Sequence, residues 1–256
     1  MREANTTPQA SVTVAQDLTL GDLTRALAAG WRDFAARPLF GLFFAGIYVL
    51  AGVFLYYALF AWGQPAWLIP ATAGFPLLAP FVAVGLYEVS RRREGGLPIR
   101  WGPVLGALRG QGDEQLLSMG GLVFVAFGFW LTVAHGIFAI FMAESGIGGE
   151  SLALFATPAG LAMLVVGSVV GGIMALTFYA VTVVSLPMLV DRKVDFITAM
   201  ITSLKAMRAN FAVLLAWALL IAISLAAALL PLFLGLLVVL PVLAHATWHL
   251  YRRIVR

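Results

Sequence analysis

The sequence contains no cysteine, which removes disulfides, thiolate metal sites and cysteine nucleophiles. Charge is nearly as scarce. Asp, Glu, Lys and Arg make up 11% of the 256 residues, against about 25% in a soluble domain. Histidine occurs three times, at His135, His245 and His249. There is no GxxxxGK[ST] phosphate loop, no pair of carboxylates and no nucleophile–base constellation. What fills the chain is apolar: 62% of residues are hydrophobic and the mean hydropathy is +0.97. Runs of roughly 20 or more apolar residues recur, long enough to cross a hydrocarbon core of about 30 Å. An all-α integral membrane protein follows. The opening "MREANTTPQASVTVAQDLTLGDL" is polar and acid-containing, unlike a cleavable signal. Residues 1–16 are expected to form a flexible tail and 17–254 a single transmembrane domain.

Six spans are expected, at about 39–62, 67–90, 115–142, 157–190, 211–229 and 232–251. The sixteen Lys and Arg residues test that division. They fall in four stretches: Arg2 to Arg37, Arg91 to Arg109, Arg192 to Arg208, and Arg252 to Arg256. Six spans put all four on one side. The other side receives "WGQPAW", the stretch with Glu144 and Glu150, and the turn at Pro231, none of them basic. Lys and Arg are retained on the cytoplasmic face during insertion, so both termini are expected in the cytoplasm. The net charge of +4 is thus a signature of orientation, and nucleic acid is not expected as a partner.

The chain also repeats itself. "DLTRALAAGWRDFAARP" (22–38) aligns with "DFITAMITSLKAMRANF" (195–211), pairing Asp22 with Asp195, Ala26 with Ala199 and Arg32 with Lys205. Apolar residues recur at three- and four-residue spacing, as in helices lying in the cytoplasmic interface. The Asp at the head of each can cap its free N–H groups. "RWGPVLGALRGQGDEQ" (100–115) is a weaker third copy. "LAPFVAVGLYEVSRR" (78–92) likewise aligns with "VLPVLAHATWHLYRR" (239–253). The expected architecture is three parallel repeats, about 17–94, 98–193 and 194–254, each an interfacial amphipathic helix followed by a transmembrane hairpin.

Candidate chemistry is sparse. His245 and His249 are four apart on one helix face, the spacing of a metal or haem pair, and they are the weak cofactor candidates. No cofactor or metal is expected. His245 stands about 10 Å from the arginines that end its span, at 1.5 Å per residue, and His135 about 30 Å into its own, so one ion does not reach both. The repeat alignment puts His249 over Glu88, which leaves two arrangements open: a polar pair between them, or each facing headgroups on its own. Trp31, Tyr87, Trp248 and the pairs Arg91–Arg92 and Arg252–Arg253 are expected as anchors at the membrane interface. Gly167 and Gly171, with Gly172 beside them, form a GxxxG face for helix packing or a partner.

"AGWRDFAARPLFGLFFAGIYVL", "AGFPLLAPFVAVGLYEVSRR", "VVSLPMLVDRKVDFITAMITS" and "HATWHLYRR" together resemble a bacterial family of predicted integral membrane proteins of unknown function. The resemblance covers about Asp22 to Arg253 and brings no catalytic residues with it. Some members are labelled as similar to cytochrome c oxidase subunit I, which implies a place beside an oxidase. The catalytic oxidase subunit itself looks like a larger helical protein with a fuller set of histidine ligands. The expected function is therefore non-enzymatic: an accessory or assembly protein acting by lateral association with a membrane complex, such as a respiratory oxidase, with lipids and integral proteins as partners. A transporter or channel for a small or amphiphilic molecule is the alternative, and haem or metal handling a second.

Overall fold

The computed structural model describes residues 13–64, 79–107, 115–142 and 155–256. Those residues form ten helices: α1 (Leu20–Ala36), α2 (Pro38–Ala61), α3 (Ala79–Glu94), α4 (Trp101–Gly106), α5 (Gln115–Met142), α6 (Pro158–Thr182), α7 (Ser185–Asp191), α8 (Phe196–Ala209), α9 (Phe211–Leu229) and α10 (Leu236–Ile254). Among the described residues the only extended pairing is an antiparallel bridge between Val14 and Val255.

Four stretches are long and apolar enough to cross a membrane: 38–61, 115–141, 158–191 and 211–229. The third contains a two-residue turn at 183–184 that separates α6 from α7. The expected spans at 67–90 and 232–251 are not among the four. The first begins outside the described residues, and its described part is the 16-residue α3. The second is α10, where His245, His249, Arg252 and Arg253 crowd the last ten residues.

α10 is the pillar of the fold. From Leu240 to Ile254 almost every side chain is buried, because α1, α2, α3, α7 and α9 all pack on it. Its small residues, Ala244 and Ala246, allow that crowding. α1 comes closest. A Cβ on Gly30 would stand 2.6 Å from Ala246 N and 2.6 Å from Val242 O, so the two backbones meet with nothing between them. The amphipathic helices are therefore doubly committed. α1 buries Asp22, Leu23, Ala26, Gly30, Asp33 and Phe34 against the bundle while Leu20 and Trp31 face outward. α8 buries Ala199, Thr202, Ser203, Ala206 and Met207 and turns Ile197, Ile201 and Leu204 out.

The caps differ between the two. Asp195 is the N-cap of α8 and accepts from Thr198 N at 2.8 Å. In α1 the N-cap is Thr19. Asp22 sits in the first turn and reaches back to Thr19 N and Oγ1, at 2.8 and 2.9 Å, the reciprocal half of a capping box. The expected cap at Asp22 is corrected accordingly.

The N-terminal segment is also tied down further than expected. Ala15 N donates to Ile254 O at 2.8 Å and Arg256 N to Thr13 O at 3.0 Å, and Asn210 Nδ2 donates to Ala15 O at 2.7 Å. Residues 13–16 are thus fastened to the C-terminus rather than part of a flexible tail; residues 1–12 of that tail lie outside the described residues, as do Arg109, Glu144 and Glu150.

Candidate functional site

α1, α3 and α10 bring five side chains into one buried polar network. Asp33 is at its centre. Its Oδ2 accepts from Ser90 Oγ at 2.6 Å and lies 2.8 Å from His249 Nε2. Its Oδ1 accepts from Arg93 Nη1 at 2.5 Å. Ser90 Oγ lies 2.7 Å from His245 Nδ1. Asp33 is 5% exposed, Ser90 1% and His245 wholly buried.

Proton positions follow from counting donors. An ionised carboxylate only accepts, so Ser90 uses its one proton on Asp33 and must accept from His245. That protonates His245 at Nδ1 and leaves Nε2 bare, and Nε2 is buried with no hydrogen-bond partner among the described residues. By the same reasoning His249 Nε2 donates to Asp33. Burial works to raise the Asp33 carboxyl, but the hydrogen bonds from His249 and Ser90 outweigh it, and the group is lowered from 3.8 to about 2. The folded chain therefore holds the carboxylate ionised where the unfolded chain protonates it. This stabilisation, about 2 kcal/mol, is complete above about pH 4 and is lost as the pH falls through 2. Between pH 6 and pH 3 the unfolding free energy in detergent is expected to drop further for the wild type than for Asp33→Asn; equal drops would assign the acid loss to other groups.

Acid, hydroxyl and imidazole are present, but in an order unsuited to nucleophilic catalysis. A nucleophilic serine donates to an imidazole that an acid orients. Here the hydroxyl stands between acid and imidazole.

The expected pair of Glu88 and His249 is not formed. Glu88 accepts from Arg91 Nε at 2.7 Å and from Arg92 Nε at 2.6 Å, partners one helical turn away. His249 goes to Asp33 instead, because α1 lies along α10 and delivers that carboxylate. Two of the expected interface anchors, Tyr87 and Trp248, turn inward. Tyr87 and Trp248 are 5% and 0% exposed, with ring centroids 6.5 Å apart, and Trp248 Nε1 donates to Glu94 at 3.1 Å. Arg252 spans Glu94 and Asp191, at 3.1 and 3.0 Å, and Arg253 reaches Asp22 at 3.2 Å and Asp17 at 3.1 Å. These arginines bind helix ends to one another. Trp31, 53% exposed, and Arg252, whose side chain is 39% exposed, keep outward positions. Sequence spacing reports position along a helix. It does not report azimuth, which packing decided.

The glycine face is divided. A Cβ on Gly171 would stand 2.5 Å from the Trp130 ring of α5, whereas Gly167 and Gly172 have nothing within 4 Å. Gly171→Val is expected to cost about 1–3 kcal/mol by overpacking and Gly167→Val close to nothing, read from thermal unfolding in detergent. His135 sits exposed on α5. No group of three His, Cys, Asp or Glu suited to a metal ion occurs among the described residues.

The membrane class indicated by these apolar helices has a counterpart among known families. Residues 68–191 match DUF2189, a family of predicted integral membrane proteins. That bears out the resemblance to a predicted membrane family read from the sequence. No curated protein and no solved structure matches the chain. The DUF2189 segment contributes Ser90 and Arg93 to the network, while Asp33, His245 and His249 come from flanking sequence. Asp33 and Ser90 went unnoticed in the sequence, and Arg93 was read only as one of the basic residues after the second span. A signal was available for the first: Asp22, Ala26, Gly30 and Asp33 recur at helical spacing, a seam of small and acidic residues where a bundle-facing stripe is ordinarily apolar.

Proposed function

We propose that the chain is a non-enzymatic bacterial inner-membrane protein that works by lateral association with other integral membrane proteins. The observation carrying this reading is the α5–α6 hairpin. Only 6% of the α5 span and 11% of the 158–191 span are buried by the rest of the chain, against 39% for α2. On that uncovered surface Gly128, Gly167 and Gly172 face open space. Lipid tails solvate large side chains as well as a protein does, so helices associate in membranes chiefly where small residues allow backbones to approach. A respiratory oxidase enters as a candidate partner only through the family resemblance.

Three parallel repeats, six spans and cytoplasmic termini belong to the same proposal. α1 packs on α10, α4 on α3 and α8 on α7, so each amphipathic helix sits on the closing helix of the preceding repeat in cyclic order. Gly30 and Ser203, opposed in the repeat alignment, both occupy such crossings: Gly30 against Val242 and Ala246, Ser203 hydrogen-bonded to Ala180 O and Val184 N, at 2.7 and 3.2 Å. The ion pairs of Arg93, Arg252 and Arg253 draw the charged ends of α1, α3, α7 and α10 together, which supports a single basic face. A carrier or channel is the second reading, favoured by the polar network buried between helices. His245 Nε2 is the atom that a haem or metal reading would use.

Without cysteines, single-cysteine variants report cleanly. Gly167→Cys and Gly172→Cys, cross-linked in native membranes and purified in mild detergent, are expected to give one specific adduct with a helical membrane protein. A monomer without adducts would overturn the reading.

A further inference from the structure

An open groove of about 560 Å³ lies where α1 gives way to α2, bounded by Arg37 on one side and by Arg92, Arg93 and the Gly96–Pro98 turn on the other. Its charge is one-sided. Among the described residues three arginines line it and no carboxylate does. The carboxylates that hold two of these arginines stand behind them. Arg92 donates from Nε to Glu88 and from Nη1 to Pro98 O, at 2.6 and 2.9 Å, which fixes the guanidinium, and among the described residues no hydrogen bond engages its Nη2. Arg93 uses Nη1 on Asp33. No hydrogen bond or ion pair engages the Arg37 guanidinium among the described residues. Glu88 is shared between Arg91 and Arg92, and Asp33 between Arg93 and His249, so the positive charge at this corner exceeds the negative.

The surroundings are amphiphilic. Arg37 is followed by Pro38 and then by Leu39, which is 71% exposed, and the same outward side of α2 carries Leu42 and Phe43. A molecule in the groove meets guanidinium groups at one end and an open apolar helix face directly beside them. Guanidinium groups match phosphate oxygens in forked geometry, and two of these three are already oriented by the fold, which lowers the cost of ordering them. Basic recesses at the cytoplasmic ends of spans are sites of acidic headgroups.

We propose that this groove seats the phosphate of an anionic membrane phospholipid, with Arg37, Arg92 and Arg93 on the headgroup and the acyl chains along the outer face of α2. The proposal rests on reading α2 as a span with Arg37 at its aqueous end; extraction of the chain from membranes at alkaline pH would refute that reading separately. A lipid held here would dock the junction of α1 and α2 to the bilayer and to the turn after α3.

The test uses the full chain in an uncharged maltoside detergent, titrated in native mass spectrometry with phosphatidylglycerol and with phosphatidylcholine of the same chains. One bound phosphatidylglycerol with at least tenfold lower Kd than phosphatidylcholine is expected. Arg37→Gln is expected to lose about tenfold and Arg37→Lys, which keeps the charge and loses the fork, about threefold. Arg208→Gln, an exposed arginine on α8, should change nothing. The thermal midpoint of Arg37→Gln should equal that of the wild type; should it not, Arg37→Lys carries the comparison. Equal affinities for the two lipids, or equal losses for Arg37→Gln and Arg208→Gln, would overturn the site in favour of diffuse surface charge. Inorganic phosphate and glycerophosphoglycerol are titrated alongside. Displacement of the lipid by millimolar phosphate alone would reassign the groove to a soluble phosphate ligand and overturn the lipid assignment.

Discussion

Gly30→Leu is expected to prevent the chain from reaching its native packing. The first atom of any side chain at this position falls 2.6 Å from two backbone atoms of α10 and 2.9 Å from a third, Ala246 Cα. Backbone does not rotate away as a flexible side chain would, so α1 must lift from the pillar. Lifting it uncovers Leu23, Ala26 and Phe34 and carries Asp33 away from Ser90, His249 and Arg93 together. Overpacking alone costs about 1–3 kcal/mol; adding the opened network, the total reaches about 5 kcal/mol, comparable to the whole stability of many domains. Gly30→Ala should already lower the thermal midpoint in detergent, and Gly30→Leu should abolish the monodisperse peak in size-exclusion chromatography. A folded Gly30→Leu protein would show that α1 docks on α10 less closely than described. Gly21, near the exposed start of the same helix and with only ordinary contacts at 3.5 Å or more, is the control, expected to tolerate alanine.

Removing the central acid is the second large effect. Asp33→Ala is expected to cost about 2–4 kcal/mol of unfolding free energy, at the lower edge of the range for breaking a buried ion pair. Arg93 limits the loss, since its side chain is 39% exposed and can turn to water. Ser90 and His245 have no such escape; with Asp33 gone, the Ser90 hydroxyl stays buried without its carboxylate acceptor. Asp33→Asn keeps the shape and loses the charge, and should fall between alanine and the wild type. Ser90→Ala on the Asp33→Ala background should add far less than Ser90→Ala alone, because the hydroxyl's acceptor is already missing. Strict additivity would mean the network is not one unit. Glu94→Gln makes the contrast. Its ion pair with Arg252 is about 40% exposed on both sides, and surface pairs of this kind contribute at most about 1 kcal/mol.

What could be read in advance divides along a physical line. The apolar runs became helices within a few residues of their expected bounds: 39–62 is Pro38–Ala61, 115–142 is Gln115–Met142 and 211–229 is Phe211–Leu229. A helix in hydrocarbon satisfies its own backbone, so length and composition suffice to define it. Position along a helix was equally legible. Tyr87, Glu88, Trp248 and His249 were placed in the last turns before their arginines, and there they lie. Which way they face was not. Trp248 and Tyr87 are compatible by type with lipid headgroups and with a packed interior alike, and the interior took them because α3 and α10 bind each other. The sequence offered His249 one carboxylate, Glu88; that group was claimed by neighbours on its own helix, leaving Asp33 from a segment more than two hundred residues away in sequence.

The sequence by itself determined a helical membrane protein, the extents of its apolar helices and the gathering of its basic residues into four stretches, since each is a property of a segment and its solvent. Tertiary structure alone decided that the last helix is the pillar, that Gly30 and not Gly167 lies against the backbone of another helix, and that one acid joins three helices. Those depend on the azimuth of each helix against its neighbours, and azimuth is fixed only when all of them pack at once.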